Sequence, residues 1–513
     1  MARTPAARSV VAVLALSGIA VALMQTLAVP LLPEFPRLLD TTPSTAAWLI
    51  TITLLTGAVF APVLGRLGDM YGKRRMLLAA LASMTVGSAI GAMTSEVAVV
   101  LVARGLQGVA IGVIPLGISI MRDELPPERV GTGIAVMSST LGAGGAVGLP
   151  LTGFVAEQAD WHWLFWGSAL FGLVQMLLVW ALVPESSVRS GGRFDVLGAT
   201  GLSAGLLCLL LPVSRGSEWG WDSPLVLGLL VASVVILLGW GWYELRGPAA
   251  PLVDLRVSAR PAVLLTNIAS VLIGVAMFAG FMVSAQMLQA PAATGYGFDL
   301  SLMESGLALL PVGGAMVVFS PLSAVISRRW GPRVTVVIGA AILALGNIAR
   351  AFVHAPLVAA IATVIATAIG AALAYGAVPA LIMRAVPQSE TAAANSLNAL
   401  CRSIGTSSCS AVIATVTAGI VVRIDGVVLP GIDAYTVVFL IAGGAGVLAG
   451  VLAAVTPGPP ADPAAATGPA PEAEGGSRSG VEPVTASAGS RVPAEGSAGG
   501  PRGARDTRAR ADR

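Results

Sequence analysis

Fourteen apolar runs, each about 20 residues long and separated by short polar loops, dominate this chain. A run of that length matches the roughly 30 Å hydrocarbon core of a bilayer when coiled as helix, and helix is the open-ended structure that leaves no backbone group unpaired in lipid. The runs cover residues 9–32, 45–64, 76–94, 97–121, 130–156, 161–183 and 196–213, then 224–243, 262–288, 303–327, 334–352, 357–383, 392–422 and 434–455. The expected fold class is therefore an all-α polytopic membrane protein. Composition agrees: 55% of residues are hydrophobic and 11% charged, against roughly 25% charged in soluble proteins. The first run is too long for a signal-peptide core and lacks a small-x-small cleavage pattern, so it is expected to remain as a span. Residues after about Thr456 are rich in Pro, Ala, Gly, Ser and Arg and are expected to be a disordered tail.

Positive charge sets the expected orientation. With the first eight residues inside, the inner loops outside the tail hold 17 Lys and Arg. The outer loops hold four: Arg37, Arg215, Arg350 and Arg423. Inner loops retain positive charge, so both termini are expected in the cytoplasm of a cell-membrane protein. Two further arginines, Arg104 and Arg402, fall inside apolar runs. Tryptophans such as Trp161, Trp163, Trp219, Trp221, Trp240 and Trp242 sit at run ends, the depth of the headgroup boundary. Two histidines, His162 and His354, and three cysteines, Cys208, Cys401 and Cys409, give too few groups for a metal cluster or a Ser/His/Asp set. No enzyme, metal, cofactor or nucleic-acid partner is expected.

Between the second and third runs lies Gly65-Arg66-Leu67-Gly68-Asp69-Met70-Tyr71-Gly72-Lys73-Arg74-Arg75. Gly65 and Gly72 permit close approach and a tight reversal, Asp69 suits the positive N-terminal end of another helix, and Lys73, Arg74 and Arg75 belong at the inner surface. This segment resembles the cytoplasmic gate motif of the major facilitator superfamily. An echo follows 259 positions later, where Pro321 answers Pro62 and Gly331 answers Gly72, but Arg328 replaces the acid. The echo implies two related halves around a central site.

Leu101-Val102-Ala103-Arg104-Gly105-Leu106-Gln107-Gly108 is similar to a second superfamily motif, whose arginine takes part in proton coupling. Snorkelling, or capping of backbone carbonyls, is the structural alternative for Arg104. The fifth run, with Gly144, Gly148, Pro150 and Gly153, resembles the glycine-rich motif of the antiporter branches, against generic small-residue packing. Fourteen runs resemble the drug:proton antiporter branch of the QacA/EmrB type. Asp195 with Gly198, Trp219-Gly220-Trp221 and Pro251-Leu252-Val253-Asp254-Leu255 follow that branch's pattern. The resemblance implies a major facilitator fold of two six-helix halves, 9–183 and 261–456, joined by a linker with an inserted helix pair at 184–260, ahead of a tail at 457–513.

One departure bears on cargo. Multidrug members of the branch usually place an aspartate in the first helix, where this chain has Met24. None of the 27 acids falls in an apolar core, so neutral or anionic cargo is expected over dicationic cargo. Arginine stays protonated, so the coupling proton needs a carboxylate. The candidates are Glu34, Glu157, Glu304 and the gate acid Asp69, with Glu34 favoured as partner to Arg104. Gln25, Gln107, Asn267, Gln286, Asn347, Asn398 and Arg402, with Met24, are candidate cavity residues, their amides serving either as interhelical bonds or as substrate contacts. The resemblance implies a monomeric secondary transporter exporting small hydrophobic or amphipathic compounds by proton antiport, driven by the proton gradient. A proton-linked importer and a non-transporting sensor are the alternatives.

Overall fold

A computed structural model describes residues 7–28, 31–32, 34–186, 188–246, 251–353, 356–424 and 427–457. The expected tail, His354 and the side chain of Glu157 lie outside the described residues. In chain order the elements are α1 (Ala7–Leu27), α2 (Phe35–Leu38), α3 (Pro43–Tyr71), α4 (Lys73–Ala92), α5 (Val97–Gly108), α6 (Val113–Glu124), α7 (Pro127–Gln158) and α8 (His162–Leu182). They continue with α9 (Val196–Trp219), α10 (Pro224–Arg246), α11 (Leu255–Ser258), α12 (Pro261–Gln289), α13 (Leu302–Phe352), α14 (Leu357–Ala385), α15 (Thr391–Gly419), β1 (Val421–Ile424), β2 (Val427–Pro430) and α16 (Ile432–Val455).

Among the described residues, thirteen helical stretches are long and apolar enough to cross a membrane, α5 and α6 forming one of them through a 3₁₀ turn at Val109–Gly112. The 51-residue α13 would be about 77 Å long if straight, more than twice the hydrocarbon thickness. It reverses at Gly331, whose φ of 87° and ψ of 156° leave the helical region. Ser327 donates to Thr335 Oγ1 at 2.9 Å, although eight residues of straight helix would hold them about 12 Å apart. Residues 302–330 and 332–352 are therefore two helices, which brings the candidate spans among the described residues to fourteen. The corresponding reversal between α3 and α4 uses Gly72 at φ 120°. Both turns stand where the sequence echo placed matching glycines.

Local chemistry sets several boundaries. Ser301 and Glu304 form a capping box at the start of α13, Asp195 caps α9 through the Gly198 N–H, and Thr42 caps α3 ahead of Pro43. Three expectations are corrected. The thirteenth run stops being helical at Gly419, and the β-branched stretch beyond it pairs as the antiparallel hairpin β1–β2. Helix α9 runs past residue 213 to Trp219, which carries Arg215 into the bundle, where it is 4% exposed. Arg350 likewise belongs to the last turn of α13 and is 1% exposed. Neither arginine is a loop residue, because each folds its stem along apolar surface and finds carbonyl or carboxylate partners.

One apolar core gathers Ile273, Leu343, Ala371 and Phe439 from α12, α13, α14 and α16. A second gathers Leu14, Leu77, Leu116 and Met137 from α1, α4, α6 and α7, and also takes in Met383 and Ala392. Two seams join the groups. Helix α7 lies against α13 along its length, from Gly131 beside Ala324 to Gly153 beside the Met303 backbone. Helix α3 meets α15, and α9 lies over that second seam through Leu202, Leu206 and Leu210 packed with Leu55, Ala58 and Leu400. Helix α10 turns Val231, Val234, Val235 and Leu238 outward, an apolar face suited to lipid. Alanine at Gly331, where only glycine is at ease, is expected to cost about 1–3 kcal/mol. Alanine at Gly314, helical and with open space around it, is expected to be neutral or stabilising by up to about 1 kcal/mol. Melting temperatures of the two purified variants in detergent check the contrast.

Candidate functional site

The loops at one end of the bundle hold residues 72–75, 122–129, 184–186, 188–195, 246, 251–260, 327–333 and 384–390, and this is called the basic end. There Asp69, in the last turn of α3, accepts hydrogen bonds from the backbone N–H groups of Ala392 at 3.2 Å and Ala393 at 2.8 Å. These are first-turn donors of α15, which have no partner within their own helix and stand at its positive end. The approach is close because Gly65 has no side chain: a Cβ there would lie 2.8 Å from the Ala392 carbonyl oxygen. Gly72 similarly leaves room for the Glu185 carboxylate.

Lys73 completes the arrangement. Its Nζ lies 3.6 Å from Asp69 Oδ1 and 2.6 Å from Asp123 Oδ2, and donates to Thr391 Oγ1 at 3.2 Å. The side chains of Asp69 and Lys73 are fully buried and that of Asp123 is 2% exposed. Asp123 also accepts from Ser186 Oγ at 2.6 Å. Glu185 accepts from the Arg74 N–H at 3.1 Å and lies 3.7 Å from Arg75 Nε, while the Arg74 guanidinium meets the Trp180 carbonyl. One lysine, three carboxylates and a helix terminus thus fasten α3, α4, α6 and α15 together at the basic end. Asp123, Glu185, Ser186 and Thr391 were not singled out from the sequence. The available signal was Arg122-Asp123-Glu124 and Pro184-Glu185, acids that fall on the same side as the basic turn.

Deeper in the bundle, Arg104 is 2% exposed. Its guanidinium donates to the Leu49 carbonyl at 3.1 Å, the Met24 carbonyl at 3.3 Å and Gln107 Oε1 at 2.7 Å, and lies 3.8 Å from Met24 Sδ. Gln107 passes the contact on to Ser88 at 2.8 Å. Arg104 thus caps carbonyls of α1 and α3, and its partners are carbonyl groups and a thioether. Glu34 is not brought to it. That carboxylate is 54% exposed and pairs with Arg37 at 3.1 Å, one helical turn away on the surface, an interaction worth about 0–1 kcal/mol. Glu304 is engaged in its capping box.

The amides divide. Asn398 of α15 donates to Asn267 at 3.0 Å and Ser270 at 2.7 Å, both on α12. Asn347 donates to the Ala276 carbonyl at 3.2 Å. Both asparagines, with Gln107 and Met24, are buried and bond between helices. Gln25, Gln286 and Arg402 are half-buried, and the Arg402 guanidinium lies 5.2 Å from the Tyr375 ring centre, a cation over an aromatic face. In α7, Gly144 and Gly148 face α1, where Cβ atoms would collide with Ala22 and Thr26, while Gly153 faces α13. Pro150 lies within the same helix. A shallow cleft opens at the basic end between Arg66, Leu252, Asp254, Ser258, Glu390 and Leu397.

The profile of the Major Facilitator Superfamily matches residues 14–410. This chain belongs to that superfamily. The tetracenomycin C resistance and export protein of Streptomyces glaucescens is 28% identical over 321 residues, 62% of this chain and 58% of that protein. The multidrug resistance protein B homolog of Mycobacterium tuberculosis is 26% identical over 312 residues, 60% of this chain and 56% of that protein. The matches therefore span less than two thirds of either relative. Among solved structures, the human organic anion transporter MFSD10 superposes with a TM-score of 0.62 at 17% identity, covering 88% of this chain and all of that one. The fold is thus that of a major facilitator transporter: all-helical, multi-pass, and not an enzyme fold. The superfamily's transporters carry small molecules, and the relatives include proteins named for resistance and export.

Removing the buried cation should be costly. Lys73→Met leaves Asp69 and Asp123 buried without their counter-charge, and loss of one partner of such a group costs about 3–5 kcal/mol. The expected readout is a lower melting temperature in detergent, partly restored when Asp123→Asn is added. An unchanged melting temperature for Lys73→Met would show that the cation does not hold this end together.

Proposed function

We propose that this chain is a secondary active exporter of small hydrophobic or amphipathic compounds, neutral or anionic, working by proton antiport through alternating access. The observation that carries the reading is the fastening of α3 to α15 by Asp69 and Lys73. It is a closed gate made of polar contacts that can be released and remade, which alternating access requires and a static pore does not. The basic end faces the cytoplasm on the positive-inside rule, so both termini are cytoplasmic and the protein resides in the cell membrane.

Export is supported by the relatives named for resistance and export, and by the small-residue packing of α7 against both α1 and α13, which matches the antiporter pattern. The fourteen crossings and the Asp195, Trp219-Gly220-Trp221 and Pro251-to-Leu255 features support the QacA/EmrB type of drug:proton antiporter. In that scheme residues 9–183 and 261–456 are the rocking halves of a monomer, with 184–260 between them. Neutral or anionic cargo is supported by Met24. Where multidrug members carry an aspartate, this side chain is thioether and rests on Arg104, so a cation would meet arginine and no acid. Asp69 is the coupling candidate built into the gate, while Glu34 loses support because its proton would come and go at the surface, without bearing on the gate.

The test is proton movement in everted vesicles made acidic inside, with cationic, neutral and anionic hydrophobic compounds added in turn. Protein-dependent dissipation of the gradient by neutral or anionic compounds is expected. Dissipation by cations alone would overturn the cargo assignment, and transport that persists after the gradient is collapsed would overturn antiport.

A further inference from the structure

A second group of buried carboxylates lies on the α9/α10 pair, apart from the gate. Asp195 precedes α9 and Glu244 lies in the last turns of α10; they are 7% and 6% exposed. Both reach the same small space. A Cβ at Gly198 would collide with Asp195 Oδ2 and come within 2.7 Å of Glu244 Oε1, so the two oxygens face one another across the volume of a single methyl group. The glycine is what lets the two acids meet.

Their hydrogen bonds are unequal. Asp195 Oδ1 accepts from the Gly198 N–H at 2.8 Å and from the Tyr243 hydroxyl at 3.1 Å. Asp195 Oδ2 and both Glu244 oxygens are buried without a hydrogen-bond partner. The Trp240 indole and the Leu252 and Val253 N–H groups approach Glu244 without reaching hydrogen-bond geometry. Among the described residues, neither acid has a basic group within salt-bridge distance. The charged groups of the surrounding elements are directed elsewhere. On α3, Arg66 turns to Ser190 at 3.5 Å. Arg246 lies over the Trp242 ring and Arg256 donates to the Leu245 carbonyl. Asp254 caps α11, Glu390 lines the cleft beside Arg66, and Arg193 is exposed to solvent.

Two facing carboxylates in a low-dielectric setting with no cation cannot both ionise cheaply, and the group then holds a proton. Among the described residues there is no set of three acidic, histidine or cysteine side chains for a metal, whereas a proton needs only the two oxygens that already face each other. It would relieve the repulsion between two unpartnered oxygens that border one methyl-sized space. We propose that Asp195 and Glu244 form a proton-binding site at the basic end of the α9/α10 pair, sharing one proton at neutral pH. Glu244 holds the proton and Asp195 the negative charge, because the two donors converge on Asp195. Through α9, which packs on both α3 and α15, the site adjoins the seam that the gate closes.

Infrared difference spectra of the purified full-length protein, taken between about pH 6 and about pH 9, test this without requiring transport. The site exists or fails independently of the exporter reading. The wild type is expected to show a protonated-carboxyl band that disappears on alkalinisation, and Glu244→Gln should abolish that band. Tyr243→Phe leaves both acids in place and removes a donor to the anion, so it should move the titration of the band to higher pH. Glu244→Gln should also flatten the fall in melting temperature that the wild type shows as the shared proton is lost on raising pH. A wild-type spectrum without a protonated carboxyl in this range, or a band that persists unchanged in both variants, would overturn the proposal.

Discussion

A carboxylate buried against the open end of a helix is the contact on which the rest of this structure depends. Asp69 gives up water to accept two backbone N–H groups of α15, and Lys73 supplies the charge that makes that burial tolerable. Neither group would be stable there alone. A buried ion pair adds little over an apolar substitute but is strongly destabilised when one partner leaves. That asymmetry suits a gate. Closed, it is specific, since only the right helix end offers the donors; opened, its members return to water and recover their hydration. Asp123, Thr391, Ser186 and Glu185 extend the same contact to α6, α15 and the segment after α8, so that one movement of α3 against α15 disturbs all of them.

The remaining packing leaves that movement a path. Small residues let α7 approach α1 and α13 closely, with Thr26 and Thr152 donating to carbonyls across the α1–α7 contact at 3.3 Å and 3.2 Å. Such surfaces hold by shape and dispersion, because hydrocarbon offers helices no hydrophobic drive to associate. The second seam, α3 with α15, is covered by α9. At the end opposite Asp69, Arg215 ties α9 to α3 through the Ser44 carbonyl and the Trp48 ring, while pairing with Glu218 one turn along α9, and Trp221 donates to Thr415 of α15 at 3.2 Å. The α9/α10 pair is therefore attached to both sides of a seam that alternating access would open and close, and carries the Asp195–Glu244 group there.

Much of the fold was legible because lipid leaves few choices. Length and apolarity alone marked each crossing, and the turn glycines at 72 and 331 announced the two matching reversals. Asp69 could be assigned to a helix N-terminus, though not to which helix. Tertiary choices were illegible. Arg215 and Arg350 read as loop charges because they fall at run ends, yet helix extends past them and their stems bury. Glu244 was not singled out, since an acid just past an apolar run gives no local sign that it will be buried. Asp123 and Glu185 lie 50 or more residues from the basic turn, and nothing local shows that Asp123 reaches Lys73 or that Glu185 reaches Arg74 and Arg75. Glu34 and Arg104 read as natural partners because both belong to helices of the first half, but a surface arginine one turn away claims Glu34 while backbone carbonyls claim Arg104.

The central claim is that the Asp69 carboxylate holds the basic end closed. Spin labels at Tyr71 of α3 and Gln388 beside α15, both exposed, in a chain freed of Cys208, Cys401 and Cys409, allow that distance distribution to be measured directly by pulsed electron resonance. With Asp69 intact the account predicts one dominant short distance, and with Asp69→Asn a major shift to a longer one. Identical distributions with and without the carboxylate would contradict it.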